Sequence, residues 1–188
     1  MKIYQYKDYK DYVDWQTKIN KIKVDWLYAR EHAIENICKD KGNANFIICH
    51  GTRNGGEMKL FLKRFPNAYI IGTEISDNAY QFEHTVQHDF TIPKEEWIGK
   101  ADLVYSNSFD HTIDPEKTIQ TWRDQLNYTG TMYLEYNQGQ SVGNESDPLD
   151  ATIEEVEKLI IDNGLNILRK FIGSQGSDVL VCERKNND

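Results

Sequence analysis

Long apolar runs are missing. None exceeds a few residues, so no segment reads as a membrane span. The opening MKIYQYKDYKDYVDW alternates charge with tyrosine and has no apolar stretch before a cleavage site, which predicts no signal peptide and a cytoplasmic location. Cysteine is scarce: Cys38, Cys49 and Cys182 are scattered and odd in number. That pattern excludes a disulfide framework or a zinc knuckle and suits reduced core thiols. Positive charge is outnumbered, 22 Lys and Arg against 30 Asp and Glu, for a net charge of −8. Broad binding to a phosphate backbone needs a cationic face, so nucleic acid is not expected as the main partner. Internal repeats and low-complexity linkers are also absent. What remains is 188 residues, 39% hydrophobic and 28% charged, enough for one soluble domain with a core of its own.

The periodicity divides the chain in two. Tyr9, Tyr12, Trp15, Ile19 and Ile22 recur at helical steps, and Val24 to Cys38 repeats the pattern. Residues 1–43 therefore read as a helical arm ended by Gly42. From residue 44 the pattern alternates. Strands are expected at 46–49, 68–71, 85–86, 101–105 and 131–136, with helices at 57–65, 115–126 and 151–163. A further helix is expected between the second and third strands. Pro115 suits a first helical turn, Asp150 is the expected N-cap of the last helix, and Gly164 lies past its end. Residues 165–172 and 178–184 read as strands joined by GSQGS, too short for a crossover, so they pair antiparallel. The tail KNND is expected to fray. Alternating strands and helices predict an α/β domain over 44–188, doubly wound around a mostly parallel seven-stranded sheet with an antiparallel last strand.

Chemistry is expected at the carboxyl ends of the strands. CHGTRNGGE follows the first strand, and its glycines admit close approach to a backbone. The second strand, AYIIGTEIS, brings Glu74 to the same edge, 23 residues after Gly51; an acid there can accept two ribose hydroxyls. The third ends in QHDF, where the Asp89 carboxylate can accept from an adenine amino group and Phe90 can cover the ring. The fourth ends in SNSFDHTIDP. Each feature has a plainer reading: a ligand-free turn, a capping or solvated acid, or a turn carboxylate at Asp89. His84 and His88 would lie about 13 Å apart on a strand, too far to share a metal. His111 beside Asp110 is a general base or a histidine without a role.

Taken in order, these four strand ends resemble the class I S-adenosylmethionine-dependent methyltransferases of small-molecule type. The resemblance covers residues 44–184 and implies a Rossmann-like fold with S-adenosyl-L-methionine as cofactor. It implies cofactor contacts from Cys49, His50, Gly51, Thr52, Arg53 and Glu57 in the first turn. Glu74 and Ile75 would follow in the ribose loop, Asp89 and Phe90 in the adenine loop, and Ser106, Asn107 and Ser108 after strand four. Asp110 and His111 would be the catalytic pair; no metal is assigned, since a metal held by these two needs more ligands than the sequence identifies. The chain departs from the family at Cys49, where an acid is usual, and at Arg53, where a second glycine is usual. Arg53 is expected to meet the cofactor's carboxylate.

With no large added domain, the acceptor is expected to be small, a sugar or other metabolite. The arm's tyrosines either pack as a plain helix, or pair subunits into a homodimer, or cover the acceptor through Tyr9, Tyr12 or Trp15. The loop NQGQSVGNESDPLD either contacts substrate or is idle. Two other classes share the pattern: a nicotinamide-dependent oxidoreductase, though G-T-R-N-G-G is not G-x-G-x-x-G, and a non-catalytic protein that keeps the cofactor pocket.

Overall fold

The computed structural model describes residues 1–140 and 142–185, so Asn186 to Asp188 of the expected frayed tail lie outside the described residues. The elements are, in order, β1 (Lys2–Ile3), α1 (Tyr9–Ile22), α2 (Glu31–Lys41), β2 (Phe46–His50), α3 (Gly56–Arg64), β3 (Tyr69–Glu74), β4 (Thr85–Gln87), β5 (Ala101–Ser106), α4 (Pro115–Gln125), β6 (Leu126–Tyr136), β7 (Leu149–Asp150), α5 (Ile153–Asp162), β8 (Leu165–Ile172) and β9 (Asp178–Arg184). Seven strands form one sheet in the order β4-β3-β2-β5-β6-β9-β8. β2 pairs parallel with β3 and β5, β3 with β4, and β5 with β6. β9 runs antiparallel to both β6 and β8. The expected hairpin and the antiparallel last strand are therefore present. After β4 the chain crosses β3 and β2 to lay down β5, so the direction of strand order reverses at β2, where a cleft opens beyond the carboxyl ends.

Strand alternation sends successive side chains to opposite faces. In β2, Ile47 and Cys49 join α2 and α3 (Ile34, Ile37, Met58, Phe61) in one core. Ile48 joins α4 and α5 (Ile119, Trp122, Val156, Ile160) in the other. All three cysteines are free and buried. Among the described residues, no helix is long and apolar enough to cross a membrane.

Three expectations about elements change. The arm is not helical throughout, since residues 23–30 leave the helix: Val24 O accepts from Asn54 Nδ2 at 2.6 Å in the turn after β2, and Arg30 N–H donates to Ser174 Oγ at 2.8 Å in the β8–β9 turn. Only a short 3-10 turn, Ala79–Gln81, links β3 to β4 where a helix was expected. The N-cap of α5 is Thr152, not Asp150. Thr152 and Glu155 form a reciprocal capping box, while the Asp150 backbone is occupied pairing with Lys2 in a small β1–β7 sheet that the sequence pattern did not announce. Asp114 caps α4 with Pro115 in the first turn.

The arm also turns a different face inward. Its buried side chains are Tyr12, Gln16 and Asn20, whereas Tyr9 and Ile22 of the apolar stripe are 52% and 67% exposed. The surface beneath α1 is the row of polar strand ends. Amides and hydroxyls match it better than hydrocarbon.

His50 ties the two sides of the sheet's central edge. Its ring stacks on Trp122 at 5.0 Å, Nδ1 meets Thr73 Oγ1 at 2.9 Å, and Nε2 meets Gln125 Oε1 at 2.7 Å. Burial pushes its pKa down from 6.5 to about 3. The unfolded chain therefore binds a proton between those values that the folded chain refuses. His50's contribution is complete above pH 6.5 and is lost as pH falls toward 3, on the order of a few kcal/mol. Urea unfolding of wild type and His50→Asn between pH 7 and 4 should show a steeper acid loss in the wild type.

Candidate functional site

The cleft begins at the turn after β2. Gly51 has φ +71°, and a Cβ built on it would lie 2.5 Å from Ser108 Cβ. Its N–H donates to Thr73 O at 2.9 Å, and its carbonyl accepts from Ser108 Oγ at 3.1 Å. The bare backbone at this point is thus required by the neighbouring strand end as well as by its own dihedral. Arg53 has φ +48°, left-handed although it carries a side chain. A glycine at this position would be free of that strain.

Glu74, at the end of β3, accepts from Arg53 N–H at 3.0 Å and Ser76 N–H at 2.9 Å. Burial raises its pKa against those hydrogen bonds, which favour the anion. Asp89 accepts from Thr91 N–H at 2.8 Å and Thr91 Oγ1 at 2.7 Å through one oxygen, and from Tyr9 O–H at 2.7 Å through the other. A turn carboxylate is what the sequence allowed; the tyrosine from the arm is an addition. Tyr12, Gln16, Ile19 and Asn20 of α1 close over Gly51, Arg53, Glu74, Ile75, Asp89, Phe90, Ser108 and His111, leaving about 50 Å³. Asn20 Nδ2 in the wall of this cavity, Thr52 Oγ1 in the turn after β2, and Ser76 Oγ and Asn78 Oδ1 just after β3 are buried with no hydrogen-bond partner among the described residues. Unpaired polar atoms in such a place cost stability unless a ligand meets them.

A larger cleft of about 650 Å³ adjoins the same turn. From the predicted residues it is lined by Gly51, Thr52, Arg53, Glu57, Asn107, Ser108, Asp110 and His111. It adds Lys23, Trp26, Tyr28 and Arg30 from the arm, and Gln140, Val142 and Asp147 from the loop after β6. Glu57 is 4% exposed, and burial pushes its carboxyl up to about 8. Burial also raises Asp110, opposed by the nearby His111. His111 Nδ1 faces the Ser146 carbonyl at 2.9 Å, an acceptor only, so this nitrogen carries the proton. Its Nε2 faces Asp110 Oδ1 and Asp147 Oδ1, each at 3.8 Å.

Three of the expected contacts are not brought to either cavity as side chains. Cys49 points into the core beside α3, and His50 points under the sheet to Trp122. Ser106 Oγ donates to His50 O and accepts from Ser108 N–H, which shapes the strand end from inside. Sequence reasoning did not single out Asp147 or Asn20. For Asp147, the available signal was an acid just before Pro148 in a loop at the ligand edge. Asn20 sat one step off an apolar stripe and carried no signal. Of the arm tyrosines, Tyr12 faces the smaller pocket rather than the acceptor side, and its O–H donates to His111 O at 3.2 Å.

No family model matches the sequence, and no curated protein is similar to it. Solved structures do match in fold. A 1,6-didemethyltoxoflavin-N1-methyltransferase of Burkholderia thailandensis, solved with S-adenosylhomocysteine, superposes with TM-score 0.69 at 12% identity, over 94% of this chain and 87% of its own. A type 11 methyltransferase, so described without proof of activity, from Sulfolobus solfataricus gives 0.66 at 17%, over 86% and 96%. The mitomycin 7-O-methyltransferase gives 0.68 at 13%, over 95% of this chain but only 58% of its own length.

Gly51→Ala is expected to lose about 2–4 kcal/mol from backbone strain and the clash with Ser108. Ser108→Gly in the same chain should recover the clash but not the strain, measured as a double-mutant unfolding cycle. At these identities the likeness speaks for architecture, and the chain has the fold of the class I methyltransferases.

Proposed function

We propose that the protein is an S-adenosylmethionine-dependent methyltransferase acting on a small acceptor. The observation that carries this reading is the pairing of two cavities at one glycine turn. One is small and sets the acids Glu74 and Asp89 among aromatic and apolar side chains, with the unpartnered amide nitrogen of Asn20 on a residue of its wall. The other is open and ends in Asp110 and His111.

The residues fit the cofactor part by part. Its amino-acid end is a zwitterion, and the turn offers Arg53 for a carboxylate and Glu57 for an ammonium, both lining one cleft. Glu57 thus supplies the carboxylate that the family places where Cys49 stands. Glu74 has both oxygens held by backbone N–H groups, which orients its remaining lone pairs toward ribose hydroxyls. Asn20, held by Asn78 Nδ2 at 3.0 Å, adds an amide group there, and Phe90 and Asp89 border the base. Bound in this way, S-adenosylmethionine supplies an electrophilic methyl group on sulfur. The protein's part is positioning and exclusion of water by α1. His111 Nε2, free of its own proton, takes the acceptor's proton, with Asp110 stabilising the resulting imidazolium. The cleft of about 650 Å³ has to hold the cofactor's amino-acid end as well as the acceptor, which leaves room for a sugar or another small metabolite.

Calorimetric titration with S-adenosylhomocysteine is expected to show one site, and NAD none; binding of NAD alone would overturn the reading. Glu57, held mostly protonated below pH 8, must ionise to meet an ammonium. Affinity should therefore rise from pH 6 to 8 with proton release, and Glu57→Gln should remove that slope. Arg53→Gly relieves the left-handed strain and removes the cation. It should hold or raise stability while weakening S-adenosylhomocysteine about tenfold or more. Unchanged affinity would make Arg53 only a surface arginine of the turn.

A further inference from the structure

The acceptor end of the cleft contains a group the methyl-transfer reading does not need in full. Asp110, His111 and Asp147 each offer one donor atom, and these atoms lie within 4.8 Å of one another. They come from two segments: the turn after β5 and the loop after β6. The side chains are largely buried, with 14%, 19% and 20% exposed, so they are not a solvated acidic surface.

The spacing is informative. An N–H···O bond requires about 2.7–3.2 Å, and both His111 contacts are 3.8 Å. No proton is therefore shared across either gap. The Ser146 carbonyl fixes the proton on Nδ1 and turns the Nε2 lone pair toward the two carboxylates. Three electron-rich atoms thus converge on one point. A backbone carbonyl that holds the far nitrogen of an imidazole is also the usual support of a metal-bound histidine. Bonds of about 2.1 Å from one ion put adjacent donors about 3.0–3.4 Å apart, so small side-chain rotations close this set onto a cation.

We propose that Asp110, His111 and Asp147 form a divalent-cation site at the acceptor end of the cleft. One imidazole and two carboxylates suit a transition ion of the Mn²⁺ class better than Mg²⁺, which favours all-oxygen shells. Three protein donors leave positions open toward the cleft, where acceptor oxygens can bind. The substrate class is then a hydroxylated acceptor. A bound ion would lower the pKa of that O–H; the acceptor oxygen would bond to the methyl carbon as its bond to sulfur breaks, and the proton would leave to solvent at the open end of the cleft, which would relieve His111 of the role of base. This rests on the methyltransferase reading for its purpose but not for its detection.

The experiment uses the full chain, stripped with a chelator and titrated with Mn²⁺, then with Co²⁺ while its visible absorption is followed. One equivalent should bind, and Asp147→Asn should weaken Mn²⁺ at least tenfold while S-adenosylhomocysteine still binds as in the wild type, which certifies the fold. Asp147→His keeps a donor and should retain Co²⁺ with a shifted spectrum. No binding, or equal Mn²⁺ binding in wild type and Asp147→Asn, overturns the site and returns Nε2 to the role of base. Metal binding without S-adenosylhomocysteine binding would keep the site and remove the methyltransferase reading instead.

Discussion

The structure depends on the crossing of three strand ends at Gly51. The backbone there turns left-handed, donates to Thr73 at the end of β3, and accepts from Ser108 beyond β5. Because the Ser108 side chain leaves no space for a Cβ on Gly51, the distance between the ends of β2 and β5 is set by that side chain resting on bare backbone. Glu74 then accepts from Arg53, two residues on, so the acid of β3 is held to the same turn. Both cavities open from this knot. A shift of the turn would move the acid at one side and Ser108, Asp110 and His111 at the other together.

Much of this was legible because it is written in short-range signals. Apolar runs at 46–49 and 101–105, Pro115 after an acid, Gly164 after a helix and two strands joined by GSQGS each act within a few residues. What was not legible depends on partners far away in sequence. The polar inward face of α1 makes sense only once Glu74 and Asn78 are known to lie beneath it. Thr152 displaced Asp150 as a cap because Lys2, at the other end of the chain, claims the Asp150 backbone. The glycine turn was read as room for a ligand or as a ligand-free turn, and the demand that Ser108 makes on Gly51 comes from 57 residues away. Periodicity names which residues are apolar; it does not say which polar surface a helix will cover.

The cleft's electrostatics follow from burial. Glu57, Glu74 and Asp110 all have raised pKa values because their anions lose water, and each has an opposing group nearby: Arg53 for Glu57, two backbone N–H donors for Glu74, His111 for Asp110. These carboxyls are left short of positive charge by the protein alone. A cationic ligand therefore gains from two sources, direct attraction and relief of repulsion among the acids. The −8 net charge, which disfavours nucleic acid, is in this cleft an advantage for ligands that bring positive charge.

One carbonyl joins the two halves of the site. Ser146 O faces His111 Nδ1 and also accepts from Gln16 of α1 at 3.2 Å. Tyr6 O–H donates to Glu145 O at 2.8 Å, and Tyr4 N–H to Pro148 O at 2.8 Å, so the loop carrying Asp147 is fastened to the arm through three backbone carbonyls and the β1–β7 pair. The smaller cavity leaves only about 50 Å³ beneath that arm, well under the roughly 300 Å³ of a typical ligand pocket. On the proposed reading, a nucleoside enters there only if α1 moves, and α1 is bonded to the loop that orients His111 and supplies Asp147. The two cavities therefore share one set of hydrogen bonds, and neither wall can shift without straining the other.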